Sequence, residues 1–395
     1  MTQNSYSKVI TFDLLQRTAF ATVLSVLSFL PLFDASPLVS DTRVPSSLPV
    51  LQRWDTFHFS GIALRGYAYE QTWAFLPGVP ILLRAIGTLV TSNPNPTRLA
   101  VYGALAAALS SNVAVLYQLT SELTGLPAVS TLTAALSLLS ASPATMFFAA
   151  YTEPFFTLLA YKGMLFCVRK QYLAGSVAFT IAAAFRSNGM VLGGFIAWPT
   201  IVEPILETMS LYPLFTFKSI GMGLLSLLPT VPFFAHQYRG YMAFCTNDSP
   251  PDWCSSRLPF VYSHVQQTYW VNGFLSYWTP DQIPNFLLAA PIYALLLVGC
   301  YVHLRCRLTQ SASDRFFRSK NLTPHALHAA FLTLTLLLNA NVQIMLRLAA
   351  SMPFLYWSAA WLWLEHPVWA RRWVIWSCCW AGLSLVLWSA FLPPA

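Results

Sequence analysis

Of 395 residues, 56% are hydrophobic and 9% are charged, and mean hydropathy is +0.55, whereas soluble domains devote about a quarter of their residues to Asp, Glu, Lys and Arg. That composition excludes a water-soluble surface and predicts one continuous membrane domain, because a bilayer core roughly 30 Å thick takes about 20 apolar residues per helix. The net charge of +8 comes from short basic clusters beside apolar runs, which signals membrane topology and argues against nucleic acid as a partner.

Apolar runs fall near residues 15–33, 99–120, 127–150, 154–168, 172–186, 189–208, 213–236, 284–304, 325–346, 348–365 and 373–392. They predict an all-α polytopic membrane protein with about eleven transmembrane helices. The first run follows a polar stretch holding Lys8 and Arg17 and precedes a Pro-rich block with no small-residue cleavage pattern, so it reads as a retained helix and not a cleaved signal. The stretch 73–91 is broken by Pro77, Gly78, Pro80 and Arg84 and suits a re-entrant or interfacial segment. With a cytosolic amino terminus, this count places Arg169 and Lys170, Arg305 and Arg307, Arg315, Arg318 and Lys320, and Arg371 and Arg372 on the cytosolic side. Two large non-cytosolic loops remain, 34–98 and 237–283. The chain reads as a single multi-span domain over 1–395, with no repeat, low-complexity tract or soluble linker.

Within the first loop, a helix over 51–65 would carry Trp54, Phe57, Gly61 and Leu64 on one face and Asp55, His58 and Arg65 on the other. Such a helix would lie at the interface with its carboxylate at headgroup depth. Glycosyl transfer from a lipid-linked sugar phosphate needs a group there that takes a proton from the acceptor hydroxyl. Hydrolytic glycosidases need two carboxylates because the leaving alkoxide must be protonated. A phosphate leaves as a stable anion, so one carboxylate suffices for inversion, with cations to hold the phosphate. Asp55 fits the base and Arg side chains the clamp. An isolated Asp beside a Trp is more often a helix cap, so the dipeptide alone decides nothing.

Five blocks in order carry more weight: RWDTFHF followed by RGYAYEQTWAFLPGVP, AAYTEPFF (149–156), FRSNG (185–189), PFVYSHVQQTYWVNGFLSYW (259–278), and VQIMLR with MPFLYW (342–357). Together they resemble the PIG-V-type family, the second mannosyltransferases of glycosylphosphatidylinositol (GPI) anchor assembly. The resemblance implies a GT-C-like glycosyltransferase in the endoplasmic-reticulum membrane with its site facing the lumen. It implies dolichol-phosphate-mannose as donor, a mannosyl-glucosaminyl-phosphatidylinositol acceptor, an α-1,6 linkage and no further cofactor. It also leaves room for a small accessory membrane subunit. Asp55 maps to the family's motif aspartate. Relatives commonly have His where this chain has Asn341, a residue that hydrogen-bonds but carries no charge.

The remaining candidates are polar residues beside these blocks. Arg186 sits at a break between two runs and needs an anion, for which a lipid phosphate and Glu153 are the two candidates. Glu153 either pairs with an Arg or meets substrate. Gln343 and Arg347, four apart, are expected to share a helix face toward one cavity, as donor contacts with Arg186 and His58 or as interhelix bonds. Glu70, Trp54, Gln266, Tyr269, Trp270 and Tyr277 combine groups that stack on sugar rings and bond hydroxyls, the alternative being an aromatic belt at the membrane surface. Cys245 and Cys254 face an oxidising lumen in this topology, which leaves two readings open, a disulfide across that short loop or two free thiols. Pro250 disfavours glycosylation at Asn247. Lys162 is expected to snorkel toward the cytosolic surface. The histidines lack ligand spacing except His325 and His328, which have no acidic partner, so no metal site is expected. The competing functions are another dolichol-phosphate-sugar transferase, a polytopic transporter, and a lipid-binding scaffold. The two halves of the chain lack the matching hydropathy a transporter would show.

Overall fold

A computed structural model describes residues 2–33, 48–309, 317 and 319–393, and among them every regular element is helical. In chain order these are α1 (Thr2–Leu27), α2 (Asp55–Arg65), α3 (Gly78–Val90), α4 (Pro96–Ala108), α5 (Asn112–Thr124), α6 (Pro127–Ser137), α7 (Pro143–Phe147), α8 (Glu153–Val168), α9 (Tyr172–Ala183) and α10 (Gly194–Ala197). They continue with α11 (Glu203–Thr208), α12 (Phe217–Leu227), α13 (Val231–Phe244), α14 (Val261–Trp270), α15 (Ile283–Thr309), α16 (Thr323–Asn339), α17 (Ile344–Leu348), α18 (Pro353–Glu365) and α19 (Pro367–Ser389).

Among the described residues, five stretches are long and apolar enough to cross a bilayer: Tyr6–Leu27, Pro96–Thr124, Ser187–Thr208, Phe217–Phe244 and Pro280–Arg305. The other apolar runs give shorter or less apolar helices. The run 127–150 divides into α6 and α7, and 172–186 yields the 12 residues of α9. Proline is the recurrent cause, standing at the first turn of α4, α6, α7, α8, α16, α18 and α19. It lacks the N–H that would continue a preceding helix and suits the first turn of a new one. Such breaks survive in an apolar bundle only where the freed backbone groups find partners inside the protein. Arg17 supplies one set. It donates from Nη1 to Ala108 O at 3.0 Å and from Nη2 to Ser110 O at 2.8 Å, where α4 gives way to α5. Its Nε meets Asp13 Oδ1 at 2.8 Å. Arg17 therefore lies buried within α1, not in a polar stretch before it.

The core joins α8, α9, α15, α16 and α18 through Tyr161, Phe179, Leu296, Ala329 and Trp357. Trp357 Nε1 donates to Thr120 Oγ1 at 2.9 Å, which pairs a polar atom deep in the bundle. Helix α8 separates two charged residues. It starts at Glu153 and ends just before Arg169, 16 residues or roughly 24 Å later. Arg169 Nε meets Glu122 Oε1 at 2.9 Å at that far end. Lys320 bridges Glu203 at 3.2 Å and Glu207 at 3.3 Å. Arg315, Arg318, the Arg307 side chain and the first part of the 34–98 loop lie outside the described residues.

Both expected loops contain helices. In the first, the broken 73–91 segment forms the 13-residue α3. In the second, α13 runs on to Phe244, several residues past the expected start at 237, and a Cys245–Cys254 disulfide precedes α14. The loops pack on each other, with Trp73 and Ala74 of the first against Trp253, Val261 and Val265 of the second.

Candidate active site

Helix α2 opens at Asp55, directly after Trp54, whose backbone is held at φ 48°, ψ −121°. That conformation favours glycine and costs a bulky residue roughly 1–3 kcal/mol. The turn brings the Asp55 N–H to the Tyr151 hydroxyl at 3.0 Å and leaves the carboxylate at the helix amino terminus, where the dipole favours negative charge. The expected division of this helix into a lipid face and a water face needs correction. Thr56, Phe59, Ser60, Ile62 and Ala63 are buried against the bundle, whereas Trp54 and Phe57 turn toward the Phe391 ring at 5.3 and 6.0 Å. The helix packs on protein with a third face that the two-face reading did not contain.

Asp55 Oδ2 accepts from Arg347 Nη2 at 3.1 Å. Arg347 also donates from Nε to Glu153 Oε1 at 2.8 Å, and Arg186 Nη1 meets the same oxygen at 2.8 Å. Arg186 Nη1 further donates to Thr152 Oγ1 at 2.9 Å. The result is a balanced quartet of two carboxylates and two guanidiniums, with the Arg347 guanidinium carbon 4.9 Å from the Tyr151 ring centre. Glu153 is its closed centre, with a side chain 3% exposed, and Asp55 its open end at 30%. No protein donor among the described residues reaches Asp55 Oδ1.

Four separate segments supply the quartet. Glu153 begins α8, Arg347 falls in the last turn of the short α17, and Arg186 follows α9. Two glycines set the approach. At Gly78 a Cβ would lie 2.8 Å from Ala184 O, and the Gly78 N–H donates to that oxygen at 2.7 Å, docking α3 beside Arg186. At Gly189 a Cβ would lie 2.4 Å from Ala183 Cα, so only glycine lets the chain fold back on α9.

Around the quartet, His58 stacks on Phe75 at 4.9 Å and 19°, and Phe75 meets Trp270 edge-on at 5.8 Å. Glu70 ties the loops together. It accepts from Trp253 Nε1 at 3.0 Å and from the Tyr269 hydroxyl at 3.1 Å, and its Oε2 lies 3.4 Å from His264 Nε2. The bond to Glu70 raises the Tyr269 hydroxyl above its ordinary pKa. Gln266 Oε1 accepts from Asn272 Nδ2, and Asn272 Oδ1 in turn accepts the Asn341 N–H at 3.3 Å.

The whole-chain comparison settles the family. The family model described as mannosyltransferase (PIG-V) matches residues 6–395. The chain belongs to that family. It is a mannosyltransferase, hence a glycosyltransferase. Among curated relatives, the GPI mannosyltransferase 2 of Cryptococcus neoformans var. neoformans serotype D (strain B-3501A) is 30% identical over 96% of each chain. The GPI alpha-1,6-mannosyltransferase 2 of Cricetulus griseus is 33% identical over 84% of this chain and 77% of its own. A crystal structure of the Archaeoglobus fulgidus oligosaccharyltransferase superposes with a TM-score of 0.49 at 11% identity, covering 96% of this chain and about half (53%) of that one.

For this mannosyltransferase, the structure gathers Asp55, Glu153, Arg186 and Arg347 in one cluster. Of the two partners open to Arg186, it holds Glu153. Gln343 departs from its expected companion: α17 is only five residues long, and Gln343 precedes it and donates to Asn285 Oδ1 while Arg347 turns to the carboxylates. Glu70 and Tyr269, each expected to meet a sugar, hold one another. Tyr151 and Asn285 escaped the sequence reading. The one available signal for Tyr151 was its place in the AAYTEPFF block.

Proposed function

We propose that the chain is a GT-C-like enzyme that transfers mannose from dolichol-phosphate-mannose, in an α-1,6 linkage and with inversion, to the mannosyl-glucosaminyl-phosphatidylinositol precursor of the GPI anchor. The site would face the lumen of the endoplasmic reticulum. Asp55 would take the acceptor hydroxyl proton as that oxygen forms its bond to the anomeric carbon. The bond from that carbon to the phosphate oxygen breaks on the opposite face, and the electron pair leaves with dolichyl phosphate.

The Asp55–Arg347–Glu153–Arg186 quartet is the observation that carries this reading. While Asp55 is ionised the cluster is neutral. Once Asp55 holds the proton, Arg347 loses one anionic partner, and the cluster gains a positive charge as the phosphate leaves as an anion. Arg186 and Arg347 each keep guanidinium N–H groups beyond those engaged within the quartet. Asn188 adds a buried amide donor with no protein partner two residues from Arg186. These groups suit a phosphate clamp. His58, Trp54, Gln266, Trp270, Glu70 and Tyr269 would shape the sugar and acceptor side. The names of the relatives support a GPI acceptor, and the Cys245–Cys254 disulfide agrees with a luminal second loop. The test is transfer by the purified chain supplied with dolichol-phosphate-mannose and the one-mannose precursor. We expect a two-mannose product resistant to cleavage by an α-1,2-specific mannosidase. Transfer to an N-glycan precursor in preference to the GPI precursor would overturn the assignment.

A further inference from the structure

Helix α19 ends in a Schellman arrangement. The Leu392 N–H donates to Leu387 O at 2.8 Å and the Phe391 N–H to Trp388 O at 3.2 Å, with Phe391 between them at φ 65°. Glycine is the usual occupant of that left-handed position because a Cβ disfavours it. Here the position carries a phenylalanine, and its ring does not hang in space. It lies 5.3 Å from the Trp54 ring, 6.0 Å from Phe57 and 4.9 Å from the guanidinium carbon of Arg53. Trp54 itself occupies a second glycine-favoured backbone position, immediately before Asp55. Two residues in conformations that bulky side chains disfavour thus face each other ring to ring.

Neighbouring contacts dock the same two segments. Trp388 Nε1 donates to Val50 O at 2.8 Å, and Arg53, 2% exposed, reaches Ser389 O at 3.5 Å. Burial pushes the Arg53 guanidinium down to about 10. The end of α19, more than 330 residues from Arg53 in sequence, therefore forms one wall against the turn that launches α2.

We propose that Phe391 is a positioning residue: its ring holds Trp54 in the unfavoured turn that points the Asp55 carboxylate at Arg347. The proposal rests on the reading of Asp55 as the base. It separates position from stability, because Phe391→Gly relieves the backbone cost at the end of α19 and removes the ring that supports Trp54. A merely structural cap would tolerate or welcome the glycine.

The test compares purified full-length wild type, Phe391→Gly, Phe391→Leu, Phe391→Tyr and Asp55→Asn in lipid nanodiscs, measuring kcat and both KM values with thermal unfolding in parallel. We expect Phe391→Gly to keep or raise the unfolding temperature while kcat falls roughly 10- to 100-fold at KM values near wild type, the scale of a small misplacement of a reacting group. Phe391→Leu should fall between, and Phe391→Tyr should restore kcat to within about threefold of wild type. Wild-type kcat in Phe391→Gly, with Asp55→Asn inactive, would overturn the positioning role alone. If Asp55→Asn transfers at the wild-type rate, the reading of the base fails, whatever Phe391 does. Should the glycine variant fail to fold, the leucine and tyrosine variants decide, and equal kcat in both overturns the proposal.

Discussion

Glu153 is the residue on which the quartet closes, since both guanidiniums bond to one of its oxygens at 2.8 Å while the side chain is almost fully buried. Removing one partner of a buried charge cluster leaves the others uncompensated and typically costs about 3–5 kcal/mol. We therefore expect Glu153→Gln to lower stability by about that much, read from thermal unfolding in detergent. An unshifted transition would show that the pairing contributes little. Arg347→Lys keeps the charge but cannot donate to Glu153 and Asp55 from one planar fork. We expect it to lose most transfer activity while remaining folded, checked by mannose transfer alongside the same unfolding curve. These four residues were legible in the sequence because ionisable groups stand out in a chain that is only 9% charged. Their pairing was not, because it joins positions up to 292 apart. Phe391 was invisible for the opposite reason, since 15% of the chain is aromatic and one ring more carries no signal, and Tyr151 stood out only through its place in the AAYTEPFF block.

At the scale of elements, short helices and glycine contacts do the positioning. Gly189 has no room for a side chain, so Gly189→Ala should push the Arg186 segment off α9. The Cys245–Cys254 disulfide closes a loop of nine-residue separation just before α14. Loop-closure entropy for that length is about 2–3 kcal/mol. We expect the double Cys→Ser variant to unfold earlier by a corresponding margin, measured against wild type under non-reducing conditions. Identical curves would show that the packing of Trp73 on Trp253 holds the two loops without it. Helix boundaries were the least legible feature. Hydropathy finds apolar runs, but proline at the first turn and buried carbonyl acceptors decide where each run breaks, as at Ala108 and Ser110 under Arg17.

Across the whole molecule, the length of α8 separates two sets of ion pairs, while the Asp13–Arg17 pair lies buried within α1. Asp55, Glu153, Arg186 and Arg347 form one, and Arg169 with Glu122 marks the other. In the proposed orientation the quartet is luminal and Arg169 and Lys170 are cytosolic. In a background with Cys378 and Cys379 replaced, Lys170→Cys should react with a membrane-impermeant thiol reagent from the cytosolic side. Asn247→Cys should react only after the microsomes are opened. The reverse pattern would invert the proposed orientation.

In the proposed mechanism everything turns on the Asp55 carboxylate taking the acceptor proton. Asp55→Asn preserves size and hydrogen bonding and removes basicity, so mannose transfer in membranes carrying this variant, with the glycolipids separated afterwards, tests it most directly. We expect the one-mannose precursor to accumulate and product formation to fall about 10²- to 10⁴-fold. Two-mannose product formed at the wild-type rate would contradict it.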